Sequence, residues 1–407
     1  MTSDHNAAPA APSAHWLLAE EARLLDFATG SRCPTGGFGW LDDAGAVDPG
    51  HPVQTWITAR MTYVFALAQL RGRPGAAELV DHGLTALAEL IADHEFGGWY
   101  PTIPGPGTDR DKRAYETSFV LLAAAAAMAV GRPGAAELLA QSMAVIEARF
   151  WREDDGLSVD VWNEQWTELE PYRGANANMH LVEAFLVTAD VTGETKWRTR
   201  AFSIAERLIH EHARAHDWRL PEHYDEQWRP MLEYNRDLPA HPFRPFGSTV
   251  GHWMEWARLL CQLHQALERP PAWLLQDAAA LFDAAVAQGW AVDGADGFVY
   301  TVDFAGLPVV TARMHWVVAE AIGAAAVLSA ITGEARYGEW LGIWWRYALD
   351  HLVDTDLGSW HAELGPDNLP HAGTWSGKPD VYHAYQTVLL TSLPSAGSLV
   401  AALLAAR

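Results

Sequence analysis

Apolar and polar positions are distributed along this chain in long blocks. Six stretches are apolar nearly all round, with polar residues confined mainly to their first turn or two: Pro52 to Leu70, Lys112 to Val130, Ala175 to Thr192, Thr249 to Leu267, Arg313 to Thr332 and Lys378 to Ser392. A helix with no wet face is a buried helix. Between these lie amphipathic stretches such as Trp197 to Ala215, Trp273 to Gln288 and Tyr337 to Val353, whose single apolar stripe predicts an outer layer with one face in water. With the segment His15 to Thr29, the pattern predicts twelve helices in six inner and outer pairs.

A second pattern punctuates the first. Ahead of the inner stretches stand runs of alternating aromatic and polar residues with turn formers close by, which read as short hairpins. They are GGFGWLDDAG from Gly36, FGGWYPT from Phe96, DGLSVDVWNEQW from Asp155, DWRLPEHYDEQW from Asp217, DGFVYTVDFAGLP from Asp296 and GSWHAELGPDNLP from Gly358. They recur about every 60 residues, except for about 80 between the fourth and fifth, where NRDLPAHPFRPFG marks an inserted loop. The octapeptide GRPGAAEL at Gly72 to Leu79 returns at Gly131 to Leu138, and TGE at Thr192 returns at Thr332. Self-similarity of this kind is the signature of an array. Helical pairs with apolar inner members, and hairpins all at one end, bury their inner faces together by closing into a ring. The expected fold is therefore all-α, an (α/α)6 barrel of six inner and six outer helices with short β-hairpin loops at one mouth. It should form one catalytic domain over residues 15–407, preceded by a frayed tail over residues 1–14. An open solenoid fits less well, because every hairpin would gather at one mouth, and two domains would need a linker that the chain lacks.

Composition narrows the partners. The formal charge of −23, from 51 acidic against 28 basic residues, repels phosphate-rich ligands and anionic membranes, so neither nucleic acid nor a membrane is expected as a partner. No apolar run reaches the roughly 18 residues of a bilayer crossing without charges or helix breakers. Cys33 and Cys261 give no disulfide framework and no paired thiolate spacing, which suits a reducing, cytoplasmic setting, and the N-terminus lacks the features of a secretory signal. Lys112, Lys196 and Lys378 are the only lysines among many arginines, which reads as coding bias. Trp340 and Trp344 on an outer helix serve either internal packing or a homo-oligomer contact.

The polar residues at the inner helix starts carry the chemistry. In chain order they are Trp56 and Arg60; Tyr115 and Glu116; Asn176, Asn178, His180 and Glu183; Arg244, His252 and Glu255; His315 and Trp316; and Asp380, Tyr382, His383 and Gln386. Closed into a ring, they line one pocket rich in His, Arg and Trp. Histidine takes and returns a proton near neutral pH. A carboxylate three residues on, as in His180 with Glu183 and His252 with Glu255, shares its helix face and can fix the tautomer, Glu255 having as its alternative a structural partnership with Arg258 or with the loop. Arginine forks suit oxygens gaining negative charge, and tryptophan faces suit sugar rings. Together they point to proton transfer on a free monosaccharide. There is no HExxH, no phosphate-cradling loop and no dinucleotide fingerprint, so neither a metal nor a cofactor is expected. A glycosidase would need two opposed carboxylates, for which the mouth offers Asp380 and Glu116.

The runs RGANANMHLVEAFL at Arg173 to Leu186, HPFRPFGSTVGHWMEWARLL at His241 to Leu260, RMHWVVAEAI at Arg313 to Ile322 and WSGKPDVYHAYQ at Trp375 to Gln386 resemble the N-acylglucosamine 2-epimerase superfamily, most closely its branch of mannose and sulfoquinovose isomerases. The resemblance spans about Val53 to Leu393. It implies an (α/α)6 fold, no metal and no nucleotide cofactor. Residue by residue, it implies that His252 and His383 are the acid/base pair, that Glu255 supports His252, and that His180 assists ring opening. It further implies that Arg60 and Arg244 bind sugar oxygens, with Trp56, Tyr115, Asn176, Met179 and Trp316 shaping the pocket. The implied reaction is conversion of D-mannose to D-fructose, with 2-epimerisation and sulfoquinovose isomerisation as the alternatives.

Overall fold

The structure, a computed structural model, describes residues 11–407. Of the expected N-terminal tail, residues 1–10 lie outside the described residues. Ser13 caps the first helix, accepting the Trp16 N–H at 3.2 Å.

In chain order the helices are α1 (Ala14–Thr29), α2 (Thr55–Leu70), α3 (Ala76–Thr85), α4 (Ala114–Ala129), α5 (Ala135–Val145), α6 (Ala175–Thr192), α7 (Thr195–Ala205), α8 (Val250–Ala266), α9 (Trp273–Gly289), α10 (His315–Thr332), α11 (Ala335–Tyr347), α12 (Tyr382–Ser392) and α13 (Leu399–Ala405). Helices α3, α5, α7 and α11 run on into wider π turns. The even-numbered helices from α2 to α12 form the expected inner layer. Each packs on the next, and α12 returns to α2, closing the ring. Helices α3, α5, α7, α9 and α11 lie outside the inner helix they follow, while α1 packs on α12, so the two ends of the chain share the sixth pair. Inner helices such as α10 are apolar on every side because both faces meet protein. By length and composition α10 is also apolar enough to cross a membrane, and here it is a core helix. The sequence pattern did not predict α13, which packs on α2, α6 and α12. Its cap, Ser398, hydrogen-bonds Asp190 near the C-terminal end of α6 at 2.7 Å.

The repeats seen in the sequence repeat in three dimensions. Both copies of GRPGAAEL start a helix from a glycine at positive φ, Gly75 at 77° and Gly134 at 78°. Both TGE segments end an inner helix on a left-handed glycine, Gly193 or Gly333. A side chain at any of these positions would meet a steric penalty from its own backbone.

The hairpin-like runs do more than fold on themselves. A strand ahead of each of α4, α6, α8 and α10 pairs with a strand from the following repeat: Lys112–Arg113 with Val161–Trp162, Tyr172–Gly174 with His223–Asp225, Ser248–Thr249 with Thr301–Val302, and Arg313–Met314 with Glu363–Leu364. The first N–H of each inner helix from α2 to α10 bonds a carbonyl in the next loop: Thr55 to Pro101 (2.9 Å), Ala114 to Asp160 (2.8 Å), Ala175 to Glu222 (3.0 Å), Val250 to Tyr300 (3.1 Å) and His315 to Ala362 (3.0 Å). Helix starts carry N–H groups with no intrahelical partner, and here the neighbouring repeat satisfies one of them each time. The Lys378 N–H completes the circle on the Leu41 carbonyl at 2.9 Å. This stitching brings all six helix N-termini to one mouth.

Two of the three lysines are pins in this mouth. Lys112 and Lys378 are buried, and each is paired with an aspartate, Asp93 or Asp354, at the same position of a repeated loop ending in tryptophan. Each aspartate also accepts two backbone N–H groups of its own turn. Lys378 donates to Asp354 at 2.6 Å, to the Gly358 carbonyl at 2.7 Å and to the Asp43 carbonyl at 3.0 Å, joining the last loop to the first. Removing one partner of such a pair leaves a buried charge alone, so Lys378→Met should destabilise the fold by about 3–5 kcal/mol in urea unfolding. A loss below about 1 kcal/mol would show that ring closure does not depend on this pin.

Candidate active site

The mouth opens into a cavity of about 740 Å³, its entrance included, lined by residues from the starts of all six inner helices and from the inserted loop. Of the residues singled out in the sequence, Trp56, Arg60, Tyr115, Asn176, His180, His252, Glu255, His315, Trp316, Asp380 and His383 line it. Met179 does not; it is buried in the helical core. Arg244 faces an adjacent cavity.

The two histidines on α8 and α12 share one arrangement. The Nδ1 of His252 lies 2.9 and 3.0 Å from the carboxylate of Glu222, and the Nδ1 of His383 lies 2.8 Å from that of Glu320. A carboxylate accepts, so Nδ1 carries the hydrogen, and in the neutral ring Nε2 is then the nitrogen with the lone pair. The Trp316 ring lies between them, its centroid 5.4 Å from the His252 ring and 5.7 Å from that of His383. Sequence reasoning missed both carboxylates and assigned Glu255 to His252. Side chains lean toward the N-terminus of their helix. His252, in the first turn of α8, is thereby carried toward the preceding loop, where Glu222 accepts both its ring and the Thr249 N–H (3.1 Å). Glu255 lies one turn deeper and turns to Arg258 at 3.3 Å.

Arg258 sits beneath the cavity with three carboxylates around it: Glu320 at 2.7 Å, Glu255 at 3.3 Å and Glu183 at 3.8 Å. All four are buried. One cation cannot balance three anions in a low-dielectric interior, so the cluster must hold protons. Burial works to raise Glu320, but Arg258 and His383 outweigh it and hold the carboxyl below its usual range. Burial, reinforced by Glu320, pushes Glu255 far up, and burial also raises Glu183, whose carboxylate accepts the Tyr382 hydroxyl. The proton is thus favoured on Glu255, and ionisation is favoured at Glu320. Burial, aided by the cations and histidines around it, depresses the pKa of His180, which keeps it neutral; its Nδ1 stands 3.8 Å from Glu255. Burial likewise brings His315 down to about 4, with its Nδ1 against the Ala362 carbonyl at 3.1 Å.

Arg60 forms the opposite wall. It pairs with Asp380 at 3.3 Å, donates to the Tyr115 hydroxyl at 3.1 Å and packs among the rings of Trp56, Phe119 and Tyr382. The inserted loop crosses the mouth as the stretched repeat suggested. Pro242, Phe243 and Pro245 line the cavity, and the Phe243 ring reaches Tyr115, Trp375 and Trp56. Arg244, expected to touch sugar, anchors this loop. Its guanidinium makes two 2.8 Å bonds to Glu170 and stacks over Tyr172 at 3.8 Å. His223, beside Glu222, holds the Pro245 carbonyl at 2.8 Å and the Tyr172 hydroxyl at 2.7 Å. Two adjacent residues, Glu222 and His223, therefore support both a cavity histidine and the loop that covers it.

His180, Glu183 and Glu255 lie close enough to share an ion. As a metal set they fit poorly, because Glu183 and Glu255 already face Arg258, and a divalent cation there would be repelled by the guanidinium.

The N-acylglucosamine 2-epimerase (GlcNAc 2-epimerase) family matches residues 36–387. The D-mannose isomerase of Thermobifida fusca is 56% identical over 391 residues, covering 95% of this chain and 96% of that one. The D-mannose isomerase of Pseudomonas cannabina pv. alisalensis is 47% identical, with 96% of each chain covered. Among solved structures, a D-mannose isomerase superposes with a TM-score of 0.87 at 28% identity, over 93% of this chain and 97% of that one.

The unequal protonation of the cluster has a measurable consequence. Glu255→Gln replaces a carboxylic acid by a neutral isostere and should change unfolding stability by no more than about 1 kcal/mol. Glu320→Gln removes the anion that faces Arg258 and should cost about 3–5 kcal/mol in the same denaturant titration. Equal losses, or the reverse order, would contradict the assignment.

Proposed function

The chain belongs to the N-acylglucosamine 2-epimerase family and is an isomerase acting on sugars; from that premise we propose that it interconverts D-mannose and D-fructose, without a metal, through a cis-enediol intermediate. The observation that carries this reading is the pair of carboxylate-backed histidines flanking Trp316 in one cavity. In the proposed reaction, one of the two takes the C2 proton of the open-chain aldose on Nε2 and returns it to C1. The other moves a proton between O1 and O2, so that C2 becomes the carbonyl carbon and no atom is gained or lost. His180, neutral and beside the cluster, assists ring opening. Arg60 holds the oxygen that gains negative charge in the enediolate, and Trp56, Tyr115, Asn176 and Trp316 shape the site. Residues 15–407 act in this reading as one catalytic domain.

The charges around the cavity favour a neutral hexose over an acidic sugar such as sulfoquinovose. Arg60 already faces Asp380 and Arg244 faces Glu170, so neither is an uncompensated positive charge that would favour a permanently anionic sulfonate. The flanking histidines also suit the alternative in which a proton returns to the opposite face of C2, so epimerisation is the second reading.

Incubation of chelator-treated enzyme with D-mannose in deuterated water, followed by NMR, separates these outcomes. Fructose with partial deuterium at C1, from exchange of the carried proton with solvent, is expected. Glucose as the sole product would replace isomerisation by epimerisation, and absence of turnover would remove both. His383→Asn and His252→Asn should each lower kcat by at least about 100-fold, the scale of one general acid or base.

A further inference from the structure

The two cavity histidines are backed differently. Behind His252, Glu222 receives a backbone N–H, that of Thr249 at 3.1 Å. Behind His383, Glu320 meets a guanidinium: the His383 Nδ1 stands 2.8 Å from one Glu320 oxygen, and Arg258 Nε donates to the other at 2.7 Å. Arg258 itself is 1% exposed and does not line the cavity, so it touches no sugar. Its remaining N–H groups are held by Gln262 at 3.0 Å and Glu255 at 3.3 Å. Those two residues and Arg258 lie on α8, Glu320 on α10 and Glu183 on α6, so three inner helices meet at one guanidinium, and His383 on α12 joins them through Glu320.

We propose that Arg258 is a positioning residue for the isomerisation, acting through Glu320 to fix the Nδ1–H tautomer of His383 and aim its Nε2 at the sugar. The physical need is specific. Glu320 lies in a nest of carboxylates where burial and Glu255 favour taking up a proton. A protonated Glu320 would be free to donate to Nδ1, turning the imidazole to its other tautomer and putting a hydrogen on the nitrogen that must accept one. The guanidinium at 2.7 Å secures the proton on Glu255 rather than on Glu320. His252 has no such requirement, because Glu222 stands outside this nest of carboxylates.

This inference rests on the reading that His383 acts on the sugar, and a double-mutant cycle tests the two separately. His383→Asn losing kcat secures that reading. Arg258→Met and Glu320→Gln should each then lower kcat by about 100-fold with KM changed less than about threefold. The double variant should be no worse than the worse single, because both remove the same support. Arg258→Met combined with Glu222→Gln should instead lose the product of the two single effects. If Arg258→Met does not fold, Arg258→Lys takes its place, read both by the same cycle and by ¹⁵N NMR of the His383 ring, which should keep the Nδ1–H tautomer. Multiplicative losses with Glu320→Gln, or a folded Arg258→Met with wild-type kcat, would overturn the proposal.

Discussion

A guanidinium buried among apolar helices is the constraint around which this barrel is arranged. Ions leave water only when partners on the protein replace it, and a lone buried charge is costly. Arg258 finds those partners on three inner helices, and through Glu320 it reaches a fourth. Ala- and Leu-rich helices can slide against one another with little change in packing energy. An ionic cluster cannot, because its bonds have direction and its unpaired members have nowhere to go. The cluster thus sets the register of α6, α8, α10 and α12 just beneath the cavity, where misplacement by an ångström would matter most.

Above that floor, backbone rather than side chains sets the geometry. The first N–H of five inner helices is satisfied by the loop of the next repeat, and Lys378 and Leu41 join the last loop to the first. Such a circuit has no loose end at the mouth. From α2 to α10 it lets the side chains of the first helical turns be chosen for chemistry, since no side chain is needed as a cap; at α12 the Asp380 carboxylate takes the first N–H, that of Tyr382, at 2.9 Å. His252 and His383 reach the sugar cavity from rigid helix starts, each held at the back by a carboxylate. Only the loop carrying Phe243 is built differently, laid over the mouth and tied down through Arg244 and His223.

Much of this was legible in the sequence because it is written in period and amphipathicity. The inner helices could be read from their lack of a wet face, and Ala175–Thr192 agrees with its expected bounds to the residue. The histidines could be read because each stands at the start of such a helix. What stayed hidden was partnership. Glu222 lies in a loop whose alternating polar residues read as hairpin, and nothing local marks it as different from Glu226. Glu320 and Arg258 did leave a signal: each is a full charge in the middle of an apolar helix, and two such charges on neighbouring helices have good reason to meet. The spacing rule pairing His252 with Glu255 failed because side-chain lean sends one residue to the loop above and the other to the cluster below. Arg244 and Lys378 show the same limit, since sequence marks a charged residue but not whether a ligand or the protein itself will neutralise it.

The central claim is that His252 and His383 address the same end of one open-chain sugar. A crystal structure with D-mannitol, an open-chain hexitol that cannot react, tests it most directly. The account predicts the hexitol in the cavity beside Trp316, with its C1–C2 end facing both Nε2 atoms and its hydroxyls within about 3.2 Å of them. A hexitol bound with that end turned away from both histidines, or bound outside the cavity, would contradict it.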